Sequence, residues 1–471
     1  MAGARVALAT AMDGGSAAIA GAHAADRRDW SKLPGTVATG LSMGLTLDFA
    51  YLLVCIVVSP WLVYRLATAG YGDLKRRFGR NLGAPLKRSI WLHGSSAGEV
   101  ALLRPLVALL ERDYPTTPLV VSAFTVTGLA AATKLYPRHR VVPLPVDLSF
   151  VVRRCFQHFD PELLIVAESE FWPNFIAGAR RRGTPVMLIN GKMSAKSYRV
   201  HARTGLIGRV LRMLDLVAVQ TEEHAGRLRA LGVDVQRLRV TGNMKYDLTR
   251  AATDRDQAQV LRRSLGYGAN DVVIIGGSLH EQEDEALLEA YASGRDTGAP
   301  VALILVPRYP AEAAGVEQRV RARGYAATLK TAVDSGRERA PGRDGVLVVD
   351  TVGELGKLYS VADIAFVGGS LFFRGANKGG HNLMEPAILA IPVLFGPYNF
   401  SFKETVEDLL AADAGRLVRD PAELKAAIVS LVTDSGARRE LGARAQRVVT
   451  EGQGATQRNY ALLVELLRAH A

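Results

Sequence analysis

From residue 85 onward the chain alternates short apolar, often β-branched runs with longer stretches in which apolar positions recur at helical spacing. That alternation predicts parallel strands joined by crossover helices, because a parallel neighbour can be reached only by a connection long enough to cross the sheet. Strand-like runs in the first half lie at 89–92, 119–123, 140–144, 163–167, 186–189, 216–219 and 239–241. The pattern lapses at 247–257 into the polar stretch DLTRAATDRDQ, then resumes with runs at 272–275, 301–306, 346–349, 364–367 and 393–395. From residue 421 the spacing predicts three helices, the last over 457–469. The chain therefore divides into two doubly wound, Rossmann-like α/β domains, 86–250 and 251–471, facing an interdomain cleft. Open sheets of this kind bind ligands at the carboxyl ends of their strands, so the loops that follow strands are the places to search.

Two segments precede the first domain. Residues 1–44 are rich in Ala and Gly, lack periodicity and read as a flexible extension. Within 45–85, the run FAYLLVCIVVSPWLVY at 49–64 is long enough to enter a bilayer. Arg65, Lys75, Arg76, Arg77 and Arg80 follow it, against Arg27, Arg28 and Lys32 ahead of it. This asymmetry predicts a membrane-anchoring helix with the two domains on the cytoplasmic side. The net charge of +12 calls for a polyanionic partner: nucleic acid, a membrane surface or a phosphorylated substrate. Two cysteines, Cys55 and Cys155, make neither a disulfide framework nor a zinc motif.

Candidate chemistry sits in the loops. HGSSAGE at 93–99 closes an apolar run with small residues and delivers Glu99 to the start of an amphipathic stretch at 100–111. Glu99 is thus a candidate base, although an acid in a first helical turn is also ordinary dipole compensation. ESEFWPN at 168–174 carries Glu168 and Glu170; two apart on an extended segment they point to opposite faces, so at most one lines the cleft. NGKMSAKS at 190–197 ends like a Walker A loop, but Val186 stands at the first glycine position and Met193 at the Ser/Thr position, which excludes an ATPase. GNMKYD at 242–247 places Lys245 beside the linker.

In the second half, SLHEQED at 278–284 is not the zinc motif HExxH, because Asp284 occupies the second histidine position. Arg308, delivered after Pro307 at a strand end, is shaped to grip a phosphate. GGHNLMEP at 379–386 opens a helical pattern, so Asn382 and a helix N-terminus predict an anion-binding corner, with Glu385 placed to accept from a ribose diol.

With FTVTG at 124–128, TVGEL at 351–355, FVGGS at 366–370 and FGPYNFSFKE at 395–404, these motifs resemble, in order, those of the Kdo transferases of lipopolysaccharide synthesis. The resemblance runs from about residue 51 to 454. It implies a GT-B glycosyltransferase fold and inverting transfer of 3-deoxy-D-manno-octulosonic acid (Kdo) from CMP-Kdo to the phosphorylated lipid A precursor. It implies the general base at Glu99 and transition-state stabilisers at Glu168 and Lys245. CMP contacts are implied at Pro307 and Arg308, at Val352, Gly353 and Glu354, and at Asn382, Leu383, Met384 and Glu385. An already activated sugar-phosphate bond demands no metal or cofactor. The basic charge then serves a phosphorylated lipid and the inner membrane rather than nucleic acid. Lys192 stands where the family usually has arginine, Tyr309 replaces a frequent histidine, Leu279 a frequent threonine and Leu383 a common proline, and extra residues lie around 375–378. These departures leave open another nucleotide sugar as donor, or an inactive lipid-binding homologue.

Overall fold

The structure, a computed structural model, describes residues 74–251, 253–375 and 379–470. The extension 1–44, the apolar run 49–64 with Arg65, and residues 376–378 lie outside the described residues. Among the described residues no helix is long and apolar enough to cross a membrane.

Among the described residues fourteen strands form two sheets. The first comprises β1 (Ser89–His93), β2 (Leu119–Ala123), β3 (Arg140–Pro143), β4 (Pro161–Ala167), β5 (Val186–Gly191), β6 (Leu216–Val219) and β7 (Leu238–Val240), in the order 3-2-1-4-5-6-7. The second comprises β8 (Val272–Leu279), β9 (Val301–Pro307), β10 (Ala326–Leu329), β11 (Gly345–Val348), β12 (Ile364–Val367), β13 (Val393–Phe395) and β14 (Arg416–Leu417), in the order 10-11-9-8-12-13-14. Every pairing is parallel. With β10 set aside, the second sheet repeats the doubly wound order of the first through six strands. Both therefore have a switch point, between β1 and β4 in one and between β8 and β12 in the other.

Side-chain alternation makes two cores per sheet. Trp91, Leu164 and Val166 pack on one face of the first sheet, whereas Ile90, Leu92, Leu163 and Ile165 pack on the other. Trp91, fully buried beneath the HGSSAGE loop, is enclosed by Phe156, Phe159 and Phe175 and donates its indole N–H to Ser122 Oγ at 2.9 Å.

Three features differ from the sequence pattern. The stretch at 100–111 is two helices, Ala97–Leu102 and Arg104–Asp113, because Pro105 lacks the N–H that a continuous helix requires. The edge strands β10 and β14 are too short to register as apolar runs. The third is the last helix, Ala455–His470, which crosses back onto the first domain. Ala455, Tyr460, Leu463 and Leu466 join the core built on β1, β2 and β4, and the Tyr460 hydroxyl donates to Asp113 Oδ2 at 2.6 Å. Asp247 accepts from the N–H groups of Gly454 (2.6 Å) and Thr456 (2.5 Å), fastening that helix to the linker. Leu463→Ala is accordingly expected to cost about 2–5 kcal/mol and to raise hydrogen exchange in Arg104–Asp113 of the first domain. Unchanged exchange in that helix would contradict the packing.

Candidate active site

The first sheet's switch point is occupied by the loops after β1 and β4. After β1, Ser96 caps the helix Ala97–Leu102 by accepting from the Glu99 N–H, and Glu99 returns two bonds, from Ser95 N–H (2.6 Å) and Ser96 Oγ–H (3.1 Å). The arrangement is close to a capping box, except that the acid reaches the N–H of the residue before the cap instead of that of the cap itself. Glu99 thus does serve the helix end. It is also perturbed: burial raises its pKa, the Ser95 N–H opposes this, and the charges of Glu168 and Glu170 raise it further. A half-buried carboxylate with a raised pKa, among other acids in a cleft, is placed to take a proton. Gly94 permits the geometry, since a Cβ there would lie 3.0 Å from the Glu99 carbonyl carbon.

After β4, the two acids separate. Glu168 adopts a left-handed backbone (φ 58°), so the segment is not extended as its spacing suggests. Its carboxylate, nearly buried, pairs with Lys192 at 2.6 Å and Lys245 at 3.5 Å. Glu170 instead accepts from the Trp172 indole at 2.7 Å and lies 3.6 Å from His93 Nε2. From the second domain, Glu404 in the helix Lys403–Ala411 reaches both lysines at 3.6 Å. Burial lowers the Lys192 pKa, but Glu168 and Glu404 outweigh it and hold the ammonium charged. Burial raises Glu404, but Lys192 and Lys245 outweigh that and keep it ionised. Glu99 contributes to the field at Lys192, so the structure brings Glu99, Glu168 and Lys245 to one place, together with Lys192 and Glu404.

Across the cleft, the strand order sets five loops side by side, those after β11, β9, β8, β12 and β13. Pro307 ends β9; the Arg308 N–H donates to Leu279 O at 2.7 Å, and its exposed guanidinium lies over the Tyr309 ring. Val352 and Gly353 form an exposed turn (Gly353 φ 88°), while Glu354 is engaged by Thr351 and Lys330. That turn leads into the helix Leu355–Tyr359, whose buried Tyr359 senses the charge of Glu385. Asn382 Nδ2 donates to Glu385 Oε1 at 3.0 Å, and burial raises the Glu385 pKa, opposed by that bond.

The anion-binding corner predicted here needs correction. The helix Met384–Ala387 is a single turn whose first N–H is already taken by Asn382 Oδ1, so it offers little dipole. Leu383 and Met384 bury their side chains in the core, leaving only their main chain to face a ligand.

A family model for 3-deoxy-D-manno-octulosonic-acid transferase (kdotransferase) matches residues 72–248. The 3-deoxy-D-manno-octulosonic acid transferase of Haemophilus influenzae is 30% identical over 88% of this chain and 93% of its own. That of Bordetella pertussis is 33% identical over 83% of this chain and 91% of its own. The chain belongs to the Kdo transferase family. A Neisseria meningitidis UDP-GlcNAc 2-epimerase structure, with UDP-GlcNAc bound, shares the two-sheet fold at a TM-score of 0.50 and 13% identity, covering 77% of this chain and 99% of that one. The fold of this Kdo transferase is GT-B, and its reaction class is glycosyl transfer.

Sequence reasoning missed Glu404, whose role depends on the other domain, and Glu283. Glu283, almost wholly buried, accepts from the N–H groups of His280 (2.9 Å), Gly369 (2.7 Å), Ser370 (2.9 Å) and Leu371 (3.0 Å), tying the loops after β8 and β12 together. The only signal was an acid inside SLHEQED. Glu283→Ala would strand these donors at about 1–3 kcal/mol each. A loss of at least about 3 kcal/mol in denaturant unfolding is therefore expected, and a loss below about 1 kcal/mol would contradict the role.

Proposed function

We propose that this Kdo transferase moves Kdo from CMP-Kdo to a phosphorylated lipid A precursor, by inverting displacement, at the cytoplasmic face of the inner membrane. The observation that carries the reading is Glu99: a carboxylate with a raised pKa at the first switch point, opposite a second domain whose strand ends present Arg308.

In this mechanism the acceptor hydroxyl replaces Ser96 Oγ–H at Glu99. Glu99 takes the hydroxyl proton as the oxygen attacks the anomeric carbon of Kdo. The bond from that carbon to the phosphate oxygen breaks, and its electron pair leaves on CMP, where Arg308 offsets the added charge. Lys245 and Lys192, held by Glu168, supply positive charge beside the reacting centre. No step calls for a metal or cofactor. Pro307, the 352–354 turn and the Asn382–Glu385 segment frame the nucleotide, with the Glu385 carboxylate facing the ribose.

Support for a lipid acceptor comes from the first domain's surface. Phe124, Val126 and Phe150 are exposed, and all follow strand ends on the side that carries Glu99. Arg77, from the basic segment at 75–80, lies over the Phe124 ring. Apolar tips flanked by cations suit an anionic bilayer surface.

Glu99→Gln tests the base. With CMP-Kdo and tetra-acylated lipid A precursor, turnover is expected to fall about 100-fold or more while CMP binding persists. In the wild type, the acid limb of kcat/KM should lie above the ordinary glutamate range, because activity needs the carboxylate ionised and is lost as pH falls through its raised pKa. Wild-type turnover in the variant would contradict the assignment.

A further inference from the structure

Two histidines from different loops meet above the second sheet's switch point. His280 follows β8 and His381 lies on the loop leaving β12; their Nε2 atoms are 3.2 Å apart and their rings stack at 9°. They wall a cavity of about 750 Å³ together with Arg308, Tyr309 and Arg374. Neither guanidinium has an ion-pair partner among the described residues. Glu281 is the acid of the lining and is exposed, while the nearby Glu283 is spent on backbone N–H groups.

The pair is built into the fold. Gly369 (φ 68°) passes directly beneath both rings, and a Cβ there would lie 2.9 Å from His381 Nε2 and 3.2 Å from His280 Cδ2. Glu283 holds the N–H groups of both Gly369 and His280, which fixes the rings' support. A 3.2 Å contact between ring nitrogens requires one to donate and the other to accept, so the rings are not both protonated. Burial pushes each imidazole down to about 4, helped at His280 by Arg374 and Arg308, and at His381 by His280 and then the same two arginines. The hollow thus concentrates N–H donors and positive charge with little opposing charge, which is the complement of an anion.

We propose that His280, His381 and Arg374 form a subsite for the carboxylate of the donor sugar, beside the phosphate held by Arg308. This rests on the CMP-Kdo reading above. A 2-keto sugar acid activated as a nucleotide carries its carboxylate on the same carbon that bears the phosphate oxygen, so two anions enter one pocket together. A nucleotide linked to a neutral sugar brings no such second anion and leaves these donors unpaired. The subsite is therefore a selector of donors, acting through the penalty on the wrong ligand.

The test is calorimetric titration of CMP and of CMP-Kdo, without acceptor, into wild type and into His280→Gln, His381→Gln and Arg374→Gln. Arg374 is exposed, so its variant keeps the question open should a histidine variant fail to fold. The wild type is expected to bind both ligands. Each variant should keep its CMP affinity within about twofold and lose about tenfold or more for CMP-Kdo, the scale of one hydrogen bond to a charged group. Equal losses for both ligands, or no loss, in variants of a binding-competent wild type would overturn the subsite alone. Failure of the wild type to bind either ligand would overturn the donor reading and the subsite with it.

Discussion

Four charged side chains close the cleft between the two domains, and the rest of the site is arranged around them. Glu168 and Glu404 come from opposite domains, and each is paired with both Lys192 and Lys245. Burial alone would disfavour an ionised Glu404, but the two ammonium groups outweigh it and hold its pKa down, while the two acids hold that of Lys192 up. The negative charge of Glu168 also reaches Glu99 and helps hold its proton affinity up. One network thus joins the domains and tunes the candidate base.

The sheets explain why such a network can exist. Two parallel sheets of nearly the same order each leave a switch point, and the cleft brings both together. On one side the switch point carries acids and lysines; on the other it carries imidazoles and arginines. Ser401 lines the cavity of the second domain, and three residues on Glu404 reaches the first. The last helix adds a physical tie, because its apolar face completes the first domain's core after the chain has finished the second.

Much of this was legible in the amino-acid order, because fully buried parallel strands read as apolar runs and their loops as polar interruptions. Glu99, Glu168 and Lys245 each stood out in a loop that follows a strand, although only the family resemblance gave the last two a role, and the structure places the three together. Edge strands such as β14 were not legible, since two residues make no pattern. The destination of the last helix was hidden because amphipathicity says that a face is buried, not against what. The one-turn helix at Met384–Ala387 misled for a related reason: Pro386 and the glycines signal a helix start but not its length. Glu404, Glu283 and the pairing of His280 with His381 depend on contacts across 86 residues or more, which local spacing does not encode.

The central claim is direct displacement at the sugar, driven by Glu99 on one side of the cleft and by a nucleotide leaving on the other. The most direct measurement is the anomeric configuration of Kdo in the product, determined by NMR after transfer from CMP-Kdo to the lipid A precursor. A single displacement predicts a configuration opposite to that of the donor. Retention of the donor's configuration would contradict the account.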